Sequence, residues 1–433
     1  MTSQPKGYGP EWDRQLQESG WWHSFELPGG ESIQGVNTLE SLKNRIAQFP
    51  IPENLRGKRV LDVGAWDGWF SFEMERRGAE VVAIDCWDNP RFREIHSAYR
   101  SRVDYRVMDV MDVSRETVGR FDIVLFFGVL YHLKHPLMAL EKICAITTDF
   151  AAVDSYILRD NFDAHATPLL EFYETDEMEG RADNWCAPNL ACLMAMCRTA
   201  GFARVHLQSI LPYSACVACY RKWQPTNPSG PRAELLSAAH RVNYGINFDS
   251  RGDDYLTCGF RTGQGELTLD DVQLSVGPYG VRPIALKNLG TDLWQTAFKL
   301  PPGLDPGWHG VSLAVRGGPA DSARQIAVDI PIPECELKIE GVRDGLTWAP
   351  DTLDLKSGRA LALWCAGLPE NADRNNVRVL LNGVRCTNEF IAPPSPSRQI
   401  NVRVPEKTST GPAEVVVTIG KSTSGPTRIV VSA

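Results

Sequence analysis

The sequence predicts an α/β domain with a doubly wound parallel sheet, followed by two all-β sandwich domains. Three observations carry this prediction. Apolar, β-branched runs alternate with helical stretches between residues 58 and 223. A breaker-rich cluster, QPTNPSGPR, follows Trp223 directly. Beyond it, short alternating strands separated by Gly, Pro and Asn recur with a shift of 104 positions.

Residues 1–57 carry few strand signals but gather Trp12, Trp21, Trp22, His23 and Phe25, and are expected to lie as an extension over a cleft. The α/β domain occupies 58–223. Its strands are expected at 59–63, 80–85, 103–108, 121–127 and 150–155, with helices at about 69–77, 90–101 and 136–146. Residues 157–186 form a polar, acid-rich connection too long for a turn, the signature of a lid or substrate loop. A helix over 188–199 stops at Gly201, and the stretches 203–209 and 214–221 close the sheet as an antiparallel hairpin.

Residues 224–232 read as a linker, followed by sandwiches at 233–333 and 334–433. Phe298-x-Leu300-Pro301, Gly307 and Val311-x-Leu313 recur as Val402-x-Val404-Pro405, Gly411 and Val415-x-Val417. About a hundred residues per unit is the size of an immunoglobulin-like sandwich.

The densest chemistry lies in RVLDVGAWDG, Arg59–Gly68, and in VVAID, Val81–Asp85. A strand, a glycine turn at Gly64 and Gly68, a helix and an acid-tipped second strand build a nucleotide cradle, with Asp85 placed for ribose hydroxyls. Trp66 stands where a second glycine would admit a pyrophosphate. That favours a cofactor without phosphates, S-adenosylmethionine rather than NAD. A third motif, GVLYHLKHPL over Gly128–Leu137, places a Tyr-His pair after a buried strand.

These pieces, with DNWCAPNLACLMAMCRTAGF, resemble the class I S-adenosylmethionine-dependent methyltransferases over roughly residues 20–222. Within them the chain is similar to the branch containing the tRNA wobble-uridine carboxymethyltransferase. The resemblance implies a Rossmann-like sheet with the cofactor at the carboxyl ends of its strands. Gly64 and Ala65 would admit the methionine part and Asp62 its ammonium, with Trp66 and Gly68 completing the turn. Asp85 would take the ribose, Cys86 would flank the adenosine, and Asp109 would meet the adenine amine. Phe127 and Gly128 would lie beneath the sulfonium. His132 is the candidate general base and Tyr131 its catalytic neighbour. Trp22, His23, Asn184 and Trp185 are the candidate acceptor contacts.

The carboxymethyltransferase holds its extra carboxylate with a Lys and an Arg, and those positions fall at Trp22 and Ser214 here. This favours ordinary S-adenosylmethionine and methyl transfer. The C-terminal modules resemble tandem Ig-like domains of the TIG type.

Composition sets outer bounds. At 433 residues, 43% hydrophobic and 23% charged, the chain is a folded multidomain protein. Its net charge of −8 argues against broad nucleic-acid binding. A small molecule or glycan is the favoured acceptor, RNA the alternative, and a protein partner for the tail is left open. No apolar run reaches membrane-spanning length and no secretory signal stands at the N-terminus, so a cytoplasmic location is expected. Eleven cysteines without regular spacing read as reduced thiols, and Cys216-Val-Ala-Cys219 as packing rather than a metal site. A second class of function also stands: a non-catalytic cofactor-binding protein whose tail does the work.

Overall fold

The computed structural model describes residues 20–158, 163–251 and 254–433. Trp12 of the aromatic cluster and Asp160 of the acid-rich connection lie outside them. The chain divides into two compact units. One comprises Met1–Asn227 with Asp270–Arg282 and Pro301–Leu304. The other comprises Pro228–Leu269, Pro283–Leu300 and Asp305–Ala433.

The first unit is built on a seven-stranded sheet. Its strands are β3 (Arg59–Val63), β4 (Glu80–Asp85), β5 (Asp104–Val107), β6 (Phe121–Phe127), β7 (Thr147–Tyr156), β10 (Arg204–Ile210) and β11 (Ser214–Tyr220). They lie in the order β10-β11-β7-β6-β3-β4-β5. All neighbours from β5 to β7 run parallel, and β11 alone enters antiparallel, against both β7 and β10. The chain walks outward from β3 to β5 and then returns to start β6 on the other flank of β3. That reversal opens a crevice at the carboxyl ends of β3 and β6, where open α/β sheets bind ligands.

Continuous apolar runs form β3 and β6 because helices cover both faces of the sheet. Alternation sends Leu61, Val63, Val124 and Phe126 into one core, and Val60, Ile123, Leu125 and Phe127 into the other. The second core also receives Trp21, Phe25, Leu42 and Ile46 from the N-terminal segment. That segment comprises a hairpin, β1 (Phe25–Glu26) with β2 (Ser32–Ile33), and a helix over Leu39–Ala47 capped by Thr38. It therefore packs on the face to which Asp62 and Asp154 belong by strand alternation. Its helix was not legible beforehand, since only Leu42 and Ile46 of its nine residues are buried.

The predicted helix over 188–199 begins later, at Leu190. Cys186–Pro188 is instead a strand, β9, paired with β8 (Leu170–Phe172), and Asn189 caps the helix by accepting from the Cys192 N–H. The acid-rich connection thus contains half of a small two-stranded ribbon.

Gly68 caps the helix over Trp69–Arg76 with φ of 92°. A Cβ there would stand 2.6 Å from ring carbons of Phe72 and Phe92. Gly68→Ala is expected to cost about 2–5 kcal/mol, from left-handed strain and overpacking together. A urea unfolding midpoint equal to that of the wild type would refute this.

In the second unit, strands Ala233–His240, Tyr255–Thr262, Leu293–Lys299 and Ala285–Asn288 form a four-stranded sheet in that spatial order. Lys338–Asp344, Ala360–Ala366, Ser397–Arg403 and Thr387–Ile391 repeat the arrangement. Asn247–Phe248 runs parallel to Arg324–Val328, and likewise Thr352–Asp354 runs parallel to Thr427–Ser432. Both first strands carry a register shift at matching places, Leu235/Ser237 and Ile339/Gly341. The repeat seen in sequence is therefore a repeat of sheet topology. Among the described residues, no helix is long and apolar enough to cross a membrane.

Candidate active site

A cavity of about 480 Å³ opens at the carboxyl ends of β3, β4, β6 and β7. Its size is that of a site for a small ligand. Gly64, at the end of β3, has φ of 72°, and a Cβ there would collide with the Val129 side chain. Glycine is therefore demanded here both by the left-handed turn and by packing against Val129. Asp85 ends β4. Its Oδ2 accepts the Trp66 N–H at 2.9 Å and its Oδ1 the Trp87 N–H at 3.1 Å, which fixes the carboxylate at the cavity wall. Burial holds its pKa above the usual carboxylate value.

Trp66 is left-handed, with φ of 51°, and its ring lies 5.6 Å from that of Trp87. Both indoles are exposed at the cradle's edge.

Asp62 is buried beneath the cavity and accepts from Ser71 Oγ at 2.6 Å. Burial raises its pKa to about 6. Nearby, His23 Nδ1 pairs with the Asp67 carboxylate, which also accepts the N–H groups of Trp22 and His23 at 3.0 and 2.9 Å. Asp67 of the GAWDG motif thus anchors the N-terminal segment onto the glycine turn, a role the sequence reading missed.

On the other side of the cavity, His132 Nδ1 lies 3.0 Å from the carbonyl oxygen of Asp183. The neutral ring donates there and leaves Nε2 unprotonated. Burial lowers the His132 pKa, in the direction that keeps the ring neutral, although a third of the side chain stays accessible. The Tyr131 ring lies tilted beside it, 4.3 Å between centroids, and the Tyr131 carbonyl accepts the Trp185 N–H at 2.8 Å. Lys134 Nζ sits 4.1 Å over the Trp185 ring. These contacts close the predicted lid region onto the Tyr-His loop.

The cavity wall brings together Trp22, His23, Asp62, Gly64, Trp66, Asp85, Cys86, Asp109, Phe127, Gly128, Tyr131, His132, Asn184 and Trp185. Ala65 and Gly68 are not part of it: the Ala65 side chain is buried and Gly68 heads the helix. Asp109 also caps a short turn through the Met111 N–H at 2.8 Å. Arg45, Asp154, Tyr156, Arg181 and Tyr213 also line it and were not singled out from sequence, while Ser214, where the carboxymethyltransferase's Arg position falls, lines it too. Asp154 did leave a signal, as an acid at the end of the buried run AAV.

Among the described residues, no cluster of three or more His, Cys, Asp or Glu is arranged for a metal ion. Cys216 and Cys219 lie three apart on a strand and enter opposite cores, so they cannot share one.

Residues 36–203 match the family profile described as a methyltransferase domain. Over 93 residues the chain is 43% identical to the ubiquinone biosynthesis O-methyltransferase of Xanthomonas campestris pv. campestris, covering 21% of this chain and 38% of that one. The enzyme of the same name from Xanthomonas oryzae pv. oryzae is 40% identical over 94 residues, 21% of this chain and 39% of its own. The match thus spans well under half of these curated relatives.

Among solved structures, the N-terminal domain of EvdMO1 in the presence of SAH and D-fucose aligns with a TM-score of 0.36 and 19% identity, over 50% of this chain and 98% of that one. Burkholderia thailandensis 1,6-didemethyltoxoflavin-N1-methyltransferase aligns at 0.31 and 19%, over 39% and 72%. Residues 36–203 thus resemble a methyltransferase domain, and the cofactor expected from the sequence is S-adenosylmethionine.

The residues of this methyltransferase domain fit that cofactor. Carboxylates crowd the cradle wall, as a cationic ligand requires, and Asp62 lies buried with Ser71 as its hydrogen-bond donor. An ammonium beside Asp62 would favour the ionised carboxylate. Cofactor affinity should therefore fall as pH drops below about 6, where Asp62 takes up a proton and loses its charge. Calorimetric titration with S-adenosylmethionine on either side of pH 6 checks this, and a flat affinity would contradict it.

Proposed function

We propose that the protein is an S-adenosylmethionine-dependent O-methyltransferase of a small molecule, with His132 as the general base. The carrying observation is that one cavity joins the carboxylates of Asp62, Asp85 and Asp109 to a His132 ring held neutral. The cofactor supplies an electrophilic methyl group on a sulfonium. Gly64 and Asp62 hold its methionine end, Asp85 the ribose, with Cys86, Trp66 and Trp87 around the adenosine and Asp109 at the adenine. Phe127 and Gly128 support the region of the sulfur. Tyr131, Trp185 and Trp22 wall the acceptor side and exclude water, and His132 Nε2 takes the proton of the acceptor oxygen. Alignment alone can supply roughly 7–11 kcal/mol in such displacements, and the base adds to it.

Oxygen is favoured as the acceptor atom because the curated relatives are named as O-methyltransferases. A small acceptor is favoured over RNA because the wall is rich in acids. The arginines in and near the cleft are also engaged: Arg45 pairs with Asp154, Arg181 with Asp183, Arg91 with Glu94 and Arg93 with Asp88. The tRNA wobble-uridine reading rests on motif resemblance alone. The C-terminal repeats are read as two Ig-like sandwiches, at 233–333 and 334–433, that present or recruit a partner, and the location as cytoplasmic.

Incubating the protein with methyl-labelled S-adenosylmethionine and a fractionated cell extract tests the proposal. Label should enter a low-mass, nuclease-resistant product. Label in RNA, or steeply salt-dependent RNA binding, would replace the small-molecule reading. Cofactor binding with no transfer to any fraction would favour the non-catalytic one.

A further inference from the structure

Asp154, at the end of β7, is 1% exposed and lines the cavity next to the site of transfer: it is in register with Phe127, and its carbonyl accepts the Gly128 N–H at 2.8 Å. Arg45 Nε lies 2.9 Å from its Oδ2, yet neither carboxylate oxygen has a hydrogen bond. The pair is therefore electrostatic, with the guanidinium off the line of its N–H. Across the wall, Asn184 is 3% exposed. Its Nδ2 donates to the Met178 carbonyl at 3.1 Å, while its Oδ1 is buried without a donor.

Three buried oxygens without a hydrogen bond in one cavity, on two side chains, are costly, because each forgoes water and only Asp154 Oδ2 has a charge partner in return. A ligand that donates to both side chains removes that cost. The donor groups can be characterised further. Arg45 already offsets the Asp154 charge, so the site has no need of a second cation. Asp62, Asp85, Asp109, Glu179 and Asp183 share the wall with two arginines, Arg45 and Arg181, which are paired with Asp154 and Asp183, so the balance disfavours an anion. Uncharged hydroxyls remain.

Building on the methyltransferase reading of the same cavity, we propose that Asp154 anchors the acceptor, and that the acceptor is a neutral molecule with at least two hydroxyls. One is the oxygen that receives the methyl group near His132. Another donates to Asp154, and Asn184 takes a further donor of the same molecule. Arg45 acts as a positioning residue: through the helix over Leu39–Ala47, seated by Leu42 and Ile46, it holds the carboxylate in place. A vicinal diol of a sugar and that of a catechol ring offer the same donors.

The test uses the full chain and a panel of neutral methyl glycosides and catechol, each beside a counterpart lacking one hydroxyl: deoxy glycosides and phenol. Label transfer from S-adenosylmethionine gives kcat/KM. Saturation-transfer NMR on protein saturated with S-adenosylhomocysteine gives binding without turnover. The wild type should prefer a diol over its counterpart by on the order of 10²-fold or more, as polar sites do against analogues lacking a hydroxyl. In Asp154→Asn this ratio should collapse towards one, a change that a general loss of fold does not produce.

The sugar and catechol arms identify the source of the diol. The wild-type ratio alone keeps the proposal testable if the variant fails to fold. A wild-type ratio near one, equal losses on both substrates in the variant, preference for a carboxylated or phosphorylated acceptor, or a panel that neither binds nor reacts overturns the proposal. Failure of the wild type to bind S-adenosylmethionine would instead sink the enzyme reading beneath it.

Discussion

Asp85→Ala is expected to abolish measurable S-adenosylmethionine binding, with affinity lower by on the order of 10²-fold or more. A ribose presents two vicinal hydroxyls, and each charge-assisted bond to a carboxylate contributes roughly 1.5–3 kcal/mol. Asp85 has capacity for them because the Trp66 and Trp87 N–H groups use one lone pair on each oxygen and leave others facing the cavity. Those N–H bonds also fix the left-handed Trp66, so alanine loosens the turn as well as removing the ribose partner. Asp85→Asn separates the two effects. It keeps an oxygen for the turn but loses the charge, and should bind with intermediate affinity and near-native thermal stability. Isothermal titration of the three proteins decides the matter, and full affinity in the alanine variant would remove the cradle as the cofactor site.

His132→Gln is expected to lower kcat by about 10²–10⁴-fold, the usual contribution of a positioned base, while cofactor affinity stays close to that of the wild type. The pH dependence gives the sharper reading. Burial lowers the pKa of His132 below its ordinary 6.5. A base works unprotonated, so wild-type kcat should be flat through neutral pH and fall only on the acid side, as the ring takes up its proton. The glutamine variant should lack that acid limb in kcat. The separate loss of cofactor affinity as Asp62 protonates near pH 6 should persist in it, because that effect lies in binding. A wild-type kcat that keeps climbing well above neutrality would assign the base to another group.

The sheet was legible because its signals are local. Arg59–Val63, Glu80–Asp85 and Phe121–Phe127 are apolar runs ended by glycine or acid, and their bounds in the structure are those expected. That Gly64, Asp85 and the Tyr-His pair would line one cavity was legible for the same reason, since each sits within a few residues of its own strand end. Less regular pieces escaped. The helix over Leu39–Ala47 shows two buried positions in nine, too few for a periodicity argument. The strand Cys186–Pro188 contains a proline and pairs with a partner sixteen residues upstream, so no local pattern marks it.

The sequence by itself determined the cradle and the class of cofactor, because steric demands at Gly64 and Gly68 and the carboxylate at Asp85 are written into adjacent residues. Only the tertiary structure decided which charges pair at the cavity. Arg45 meets Asp154 from more than a hundred positions away, and His23 meets Asp67 across forty-four. Such pairings depend on which face of the sheet each element covers, and that is fixed by the packing of distant apolar residues such as Leu42, Ile46 and Phe127. A charge alone in a sequence does not reveal its partner, since partnership is set by burial in a shared cavity.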